Sequence, residues 1–540
     1  MPGRERAYSH HERLLMANGE GTGSQERSRA AAAQADEADA PPVPVLRSLL
    51  ARRGNARGIV YYLGGSAAPA LLALLCIPRI AGALGPARFG ILALAWTVVG
   101  YATFLHLGLG RAVSQGTAAR GARAGELRAT VWTALLITLV MGTTGGALVF
   151  LLAPALVRLL QVPAAMTGEA TAAFRVLALV FPLTVTQPVL TGVLEARRRF
   201  GRLNAALLPG ALVTFVGPVV ALSFTHGLVP LVWVLAAGRA LTWSVVLTLC
   251  MREAPELRAG PAFHRGQARA LLRYGGWTTV SAVVSPLLVY LDRFVIGAVL
   301  SAAAVAYYAS AQEVALRMGM VSGAVVGVLF PAFAGAGHRG VRLAHLLESG
   351  VDAVLGLMLP LALLLAAGAE TLLGVWLGGE YAAQGAHVLA WLSFGLVVNG
   401  LAKLPSALLQ AVGRPDLTAR LHLVELPAFV LLLGGCVWTW GIRGAAVAWV
   451  ARVTADALAL YVITVYRVPE CRRAAARAAV VAGCAAAGVG MIRLTASPLL
   501  RVAVLAVAAA ARVWALGRIL HRRAGVVAAS SPSPLPAGQP

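Results

Sequence analysis

Long apolar stretches recur along this chain from Gly58 to Leu520, and short polar segments separate them. A helix that crosses a bilayer needs about 20 apolar residues, and the pattern predicts about fourteen such helices. The last two are rich in alanine, and the first of these two is short. Backbone groups in lipid must be hydrogen-bonded within their own segment, and the Ala, Leu, Val and Gly content favours helices over alternating barrel strands. We therefore expect an all-α, polytopic membrane protein.

Charged side chains interrupt one pair of predicted helices, at about residues 276–300 and 304–330. A short small-residue turn joins this hairpin, and its apolar runs contain Asp292, Arg293, Glu313 and Arg317. A charge at bilayer depth costs about 2.5–3.5 kcal/mol on insertion scales, so such residues usually face a partner or a watery cavity. The hairpin is therefore predicted to form half of a wall that lines a polar route through the membrane.

Composition excludes a soluble protein. Of the 540 residues 59% are hydrophobic and 13% are charged, whereas soluble domains average about 25% charged. The net charge of +24 comes almost entirely from arginines between the apolar runs, which indicates a membrane surface and not a nucleic acid as partner. The five cysteines have no C-x-x-C spacing and are predicted to be free thiols.

Every second loop is rich in arginine, so the positive-inside rule predicts a multi-pass protein with both termini in the cytoplasm. Six regions follow from this pattern. They are a disordered cytoplasmic tail (1–55), an N-terminal six-helix lobe (56–250), a basic amphipathic linker (251–273), a C-terminal six-helix lobe (274–466), two extra transmembrane helices (467–520) and a cytoplasmic tail (521–540).

The two predicted lobes show signs of an internal repeat. The turn that begins at Leu84 corresponds to the turn that begins at Leu300, and the helix end at Leu194 corresponds to the helix end at Leu409. Arg239 and Arg452, both near the middle of a predicted helix, form a third pair at nearly the same offset along the chain. Parallel repeats of this kind are related by a pseudo-two-fold axis along the membrane normal and place a site at their interface near the midplane.

Three segments carry a family resemblance: ALGPARFGILAL…LHLGLGRAV (Ala83–Val113), LEARRRFGRLN (Leu194–Asn204) and LDRFVIGAVLSAAAVAYYASAQE (Leu291–Glu313). Together they resemble the Wzx-type polysaccharide-transporter flippases, which share a superfamily with multidrug extruders and the peptidoglycan-precursor flippase. The resemblance implies two six-helix lobes around a central cavity. It also implies alternating access, with ion coupling, that carries a polyprenyl-diphosphate-linked oligosaccharide across the membrane.

The resemblance further implies membrane lipids, and a polysaccharide polymerase or export machinery, as partners. A cation-coupled multidrug extruder of the same superfamily is the alternative. A membrane-bound transferase would need a long loop that the chain lacks, and no G-x-x-x-x-G-K-[ST] motif for ATP is present. We therefore expect a transporter and not an enzyme, with no catalytic group, cofactor or metal site.

Arginine is well suited to bind a diphosphate, because its planar guanidinium group stays charged and can donate two hydrogen bonds to phosphate oxygens. Arg239 and Arg452 are the leading candidates, each about ten residues from a helix end and so about 15 Å deep. Arg239 has no acidic residue within four positions, which favours a role in the cavity. Arg452 is equally well explained by a pair with Asp456 four residues on, although Asp456 is also a candidate for coupling.

The charges of the hairpin allow three interpretations. Arg293 with Glu313, and Asp292 with Arg317, lie at similar depths and are expected to form static salt bridges between the two helices. Alternatively, Arg293 and Arg317 contact the substrate, or Asp292 or Glu313 binds and releases the coupling proton. Lys403 is a further candidate for substrate binding, but it lies about seven residues from a helix end and extension to the membrane surface also explains it.

Overall fold

The computed structural model describes residues 53–118, 124–197, 199–225, 227–337, 339–480 and 483. The tail predicted at 1–55 lies outside this part of the chain apart from its last three residues, and so do most of 467–520 and all of 521–540. The described residues form helices joined by short turns, with no strand among them. The helices are α1 (Arg53–Ala102), α2 (Leu109–Ala118), α3 (Ala124–Leu159), α4 (Thr167–Ala178), α5 (Phe181–Ala196), α6 (Phe200–Ala221), α7 (Leu228–Glu253), α8 (Arg265–Val299), α9 (Ala302–Ala336), α10 (Gly340–Leu377), α11 (Gly379–Ala411) and α12 (Pro415–Arg467).

Nine helical stretches in the described residues are long and apolar enough to cross a membrane. They are α1, α3, the α4–α5 stretch, α6, α7, α9, α10, α11 and α12. Helix α8, with 35 residues, also exceeds the roughly 20 residues that a crossing needs. The predicted all-α, polytopic class is therefore confirmed.

Two glycines divide the longest helices into antiparallel arms. Gly85 in α1 has φ 71° and ψ 167°, and Gly441 in α12 has φ 59° and ψ −142°. A side chain at either position would meet strain, because positive φ with these ψ values is essentially restricted to glycine. The break at Gly85 is the turn predicted from Leu84 onward, and the break at Gly441 falls between the spans predicted at about residues 418–438 and 442–465. Counted as separate arms, the described helices supply the twelve spans of both predicted lobes.

The second and fourth spans, predicted at about residues 89–110 and 172–194, are broken where continuous helices were expected. After α1 the chain forms a 3₁₀ turn at Thr103–His106, and Leu107 and Gly108 have φ values of 52° and 70° before α2 begins. Between α4 and α5 the break falls at Leu179 and Val180, immediately before Pro182. Proline lacks an N–H and favours the first turn of a helix, which explains the restart there.

The helices pack mainly in two sets, α1–α7 and α8–α12, and α1 contacts the first set through Arg88 with Glu169 and Trp96 with Phe215. In the first set, α3 packs on α4 and α5, α2 on α5, and α7 on α4, α5 and α6; in the second, α11 packs on α9, α10 and α12, and α8 packs on α12. Helix ends recur at a nearly constant offset, since α5 and α11 end at Ala196 and Ala411, and α7 and α12 end at Glu253 and Arg467. This spacing agrees with the repeat seen in the sequence.

The segment predicted as a basic linker, residues 251–273, does not form a separate helix. It begins in the last turn of α7, passes through a 3₁₀ turn at Pro255–Ala259 and continues into the first residues of α8. Backbone oxygens of the connection accept hydrogen bonds from Arg128 and Trp132 of α3, at 3.0 and 3.1 Å. The connection is therefore anchored to the first set of helices.

Candidate functional site

A cavity of about 400 Å³ lies between the two sets of helices. Helices α1, α4, α6 and α7 line it from the first set, and α8 and α9 line it from the second. Its wall combines aromatic rings with hydroxyl and charged groups. These residues are Phe89, Trp96, Thr97, Thr103, Thr214, Phe215, Arg239, Tyr290, Arg293, Ser310 and Glu313. The interface between repeats, where the sequence predicted a site, therefore contains a cavity with charged and hydroxyl groups in a largely apolar wall.

Arg239 lines this cavity from the middle of α7 and is half-buried. No hydrogen bond or ion pair joins it to another described residue. The small residue Gly238 next to it packs against Val213 of α6, which holds α7 close to its neighbour. A half-buried guanidinium without a partner is free to bind an anion that enters the cavity. The predicted position of Arg239 at a central opening agrees with this geometry.

Arg293 reaches the same cavity from α8 but is part of a hydrogen-bond network. Its Nε donates to Gln312 Oε1 at 2.7 Å, and its Nη1 donates to Thr97 Oγ1 at 3.0 Å. The guanidinium also lies 5.2 Å from the ring centroid of Tyr290. These contacts connect α8 with α9 and with α1, so Arg293 joins the two sets of helices and presents its charge at their interface.

The salt bridges expected between α8 and α9 do not form. Asp292 is fully buried and accepts hydrogen bonds from Tyr308 Oη, from Gln312 Nε2 at 3.0 Å and from the backbone N–H of Arg293 at 2.8 Å. Glu313 pairs instead with Arg317, one turn along α9. Asp292 and Arg293 are instead hydrogen-bonded to neutral side chains of α9. Tyr308 and Gln312 donate to Asp292, and Gln312 accepts from Arg293, whereas the two charges of α9, Glu313 and Arg317, pair with each other.

A second cavity of about 420 Å³ lies within the second set, lined by α8, α9, α11 and α12. Lys403 contributes a cation to its wall, and its Nζ donates a hydrogen bond to Ser322 Oγ at 3.1 Å. Asn399 and Trp449 line the same space, and Tyr290 borders both cavities. The interpretation that Lys403 extends to the membrane surface is therefore wrong, since its ammonium group lies inside the bundle.

Arg452 is buried within α12 and is not among the residues that line either cavity. Its Nη1 lies 3.7 Å from Glu425 Oε2 on the other arm of α12, so its ion pair is with Glu425 and not with Asp456. Asp456 lies 3.5 Å from His422 Nε2. The expectation that Arg239 and Arg452 occupy equivalent positions at one opening is therefore not met.

Sequence reasoning missed the neutral residues of the network and the partners within α12. Thr97, Tyr308 and Gln312 carry no charge, and matching of opposite charges cannot detect them. His422 and Glu425 were detectable, since a spacing of three residues puts both on one helix face, and Arg452 and Asp456 follow on the next arm. The sequence did not show that the turn at Gly441 brings the two arms, and therefore these four residues, into contact.

Comparison with known proteins places the chain in a family. The model of the family described as "Polysaccharide biosynthesis protein" matches residues 80–385, more than half of the chain. The chain belongs to this family. The resemblance to polysaccharide-transporter flippases, noted from three sequence segments, is confirmed, and with it the expectation of a multi-pass membrane transporter and not an enzyme.

A protein of Shigella flexneri described as "Putative O-antigen transporter" is 28% identical over 405 residues, which cover 74% of this chain and 95% of that protein. Two solved structures have a similar fold. The first is the lipid II flippase MurJ in an inward closed conformation, with a TM-score of 0.66, 12% identity, and coverage of 86% of this chain and 99% of that one. The second is an inward-facing multidrug-resistance MATE transporter, with a TM-score of 0.62, 15% identity, and coverage of 74% and 96%.

Proposed function

We propose that this protein flips a polyprenyl-diphosphate-linked oligosaccharide across the plasma membrane for polysaccharide biosynthesis. In this proposal residues 56–250 and 274–466 form two lobes that alternate access to the cavity between them, and both chain termini lie in the cytoplasm. Membrane lipids and a polysaccharide polymerase or export machinery are the proposed partners. The observation that carries the proposal is the guanidinium of Arg239, which has no partner among the described residues and lines the same cavity as Arg293 and several hydroxyl groups.

The lining of the cavity suits both parts of such a substrate. Arg239 and Arg293 provide N–H donors for diphosphate oxygens, and a charge-assisted hydrogen bond is stronger than a neutral one. Thr97, Thr214 and Ser310 offer hydroxyls to a glycan. The name of the Shigella flexneri relative points to a polysaccharide precursor as the substrate class.

The other candidate residues receive different roles. Arg317 neutralises Glu313, so the charge that remains on the cavity wall is positive. Lys403 serves the second cavity, where it would contact the glycan beside Asn399 and Trp449. Among the coupling candidates, Asp292 is fixed by three hydrogen bonds, and Asp456 has the least satisfied surroundings.

The direct test replaces the unpaired cation. Arg239→Gln is expected to lower flipping of a fluorescent polyprenyl-diphosphate sugar in reconstituted vesicles by about 10-fold to 100-fold, the equivalent of losing a charged hydrogen bond of about 1.5–3 kcal/mol. Arg443→Gln is the matched control, because Arg443 is exposed on α12 and lines neither cavity. Equal flipping by wild-type protein and Arg239→Gln would refute the assignment of Arg239.

A multidrug extruder is the alternative, since Trp96, Phe215 and Tyr290 are aromatic and Glu313 is acidic. Two cationic residues in the lining and the Arg317 partner of Glu313 disfavour a lipophilic cation as substrate. The same vesicles distinguish the two functions. Accumulation of ethidium without flipping of the diphosphate lipid would replace the proposed function with drug export.

A further inference from the structure

A group of buried ionisable side chains joins the two arms of α12, away from the central cavity. One nitrogen of His422 and one carboxylate oxygen each of Glu425 and Asp456 lie within 4.8 Å of one another. The side chains are 16%, 11% and 7% exposed, respectively. Arg452, whose side chain is 7% exposed, lies 3.7 Å from Glu425. We call these four residues the α12 cluster.

The α12 cluster has too few hydrogen bonds for its charge. Both carboxylate oxygens of Glu425, Oδ1 of Asp456 and Nε of Arg452 are buried without a hydrogen-bond partner among the described residues. Burial of an ionised carboxylate without compensation is expensive, and such a group gains a partner or a proton instead. Asp456 Oδ1 points toward His422, so the open acceptor faces into the cluster.

Counting charges shows what the cluster lacks. Two carboxylates and one guanidinium sum to −1 when the imidazole is neutral, and a single positive charge brings the sum to zero. A divalent metal would leave a surplus of +1 beside Arg452, in surroundings that penalise net charge. Alkali and alkaline-earth ions prefer oxygen ligands and gain little from an imidazole. A proton satisfies the charge balance and gives the carboxylate oxygens the donor that they lack.

We propose that the α12 cluster is a proton-binding site, in which one proton is shared by the Glu425 and Asp456 carboxylates beside His422. Two carboxylates this close do not ionise together as readily as separated ones. Of the helices that pack on α12, α8 contributes Asp292, which acts electrostatically on Arg452. Helix α11 contributes Lys403, which lines the second cavity together with Trp449.

The cluster is placed to transmit its protonation state to the second cavity. The Arg452 guanidinium lies 5.6 Å from the ring centroid of Phe429 and 5.9 Å from that of Trp449, and Trp449 lines the second cavity. A proton on Glu425 removes the charge of the carboxylate that is paired with Arg452, whereas the contacts of Arg452 with the two rings remain. A role of this change in transport rests on the proposed function. Binding of the proton by the α12 cluster does not rest on it.

Infrared difference spectroscopy of the purified full-length protein tests proton binding without any substrate. Spectra recorded between acidic and alkaline pH are expected to contain the carbonyl-stretch band of a buried carboxylic acid that loses its proton. Glu425→Gln and Asp456→Asn, which keep the side-chain shape, are expected each to remove or shift this band. Asp416→Asn is the control, because Asp416 pairs with Arg414 at the start of α12 and lies outside the cluster.

Two results would overturn the proposal. One is a wild-type spectrum without a titrating buried-acid band, or a band that both variants retain unchanged. The other is a band that disappears at constant pH when sodium or zinc is added, since the occupant would then be a metal ion. A vesicle assay separates this proposal from the proposed function. Glu425→Gln is expected to abolish acceleration of flipping by a pH gradient and to keep flipping without a gradient, whereas Arg239→Gln lowers both.

Discussion

At the scale of single residues, the hairpin of α8 and α9 shows where charge matching fails. Of the four charges predicted to line a polar wall, Arg293 and Glu313 line the cavity, but opposite charges did not pair across the hairpin. Gln312 donates a hydrogen bond to Asp292 and accepts one from Arg293. A search of the sequence for ion pairs does not detect a glutamine that bonds two charged residues, so this part of the site could be recognised only in the structure.

Two adjacent tyrosines allow a matched test of the Asp292 network. Tyr308→Phe removes the buried donor to Asp292 and is expected to destabilise the protein by about 1.5–3 kcal/mol, the range for hydrogen bonds to charged groups. Tyr307→Phe removes a hydroxyl that bonds Glu380 near the surface, and its cost is expected to stay below about 1 kcal/mol. Thermal unfolding in detergent measures both. Equal losses would show that Tyr308 does not stabilise a buried charge.

At the scale of helices, the apolar runs correctly predicted that these segments are helical. The turns inside the two longest helices lie at glycines. The turns at Gly85 and Gly441 were foreseen because short polar or glycine-containing segments separate two apolar runs there. The breaks at Thr103–Gly108 and at Leu179–Val180 were not foreseen, because hydropathy continues through them. The hydropathy of a segment predicts whether it lies in lipid, but it does not predict whether the helix is continuous.

Gly441 provides the test at this scale. Gly441→Ala is expected to destabilise the protein by about 1–3 kcal/mol, since φ 59° with ψ −142° is strained for any residue with a Cβ. Gly434→Ala, in a regular part of α12 with open space around it, is expected to be neutral or to stabilise by up to about 1 kcal/mol. The midpoints of thermal unfolding compare the two. A harmless substitution at Gly441 would contradict the turn described here.

At the scale of the whole molecule, the two sets of helices, α1–α7 and α8–α12, agree with the recurrence of helix ends along the chain. The sequence predicted the interface cavity through this repeat and predicted Arg239 at its wall. It also predicted an equivalent place for Arg452, which is wrong, because the matching arm of α12 pairs with Glu425 on its neighbour. Symmetry of the backbone therefore did not imply symmetry of the charges.

One of the close contacts between the two sets requires a glycine. A Cβ at Gly90 of α1 would lie 1.7 Å from the carbonyl oxygen of Ala302 at the start of α9. Gln161 Nε2 and Trp376 Nε1 also donate hydrogen bonds to backbone oxygens of the opposite set, at 2.7 Å each. Gly90→Leu is therefore expected to separate the two sets at this point and to slow flipping.

Electron–electron distance measurement tests this separation. Spin labels at the exposed positions Arg158 and Glu370, near the ends of α3 and α10, are expected to move apart in Gly90→Leu. Gly82→Leu is the control, because nothing lies within 4 Å of a Cβ there. An unchanged distance in Gly90→Leu would mean that the contact does not hold the two sets together.

The most direct measurement is a structure by electron cryomicroscopy of the full chain in lipid nanodiscs with a polyprenyl-diphosphate-linked sugar. The account predicts density for the diphosphate inside the cavity between the two sets of helices, within hydrogen-bond distance of Arg239, with the sugar extending along the hydroxyl-bearing wall. Density for the diphosphate on the lipid-facing surface, or inside the bundle without contact to Arg239, would contradict it.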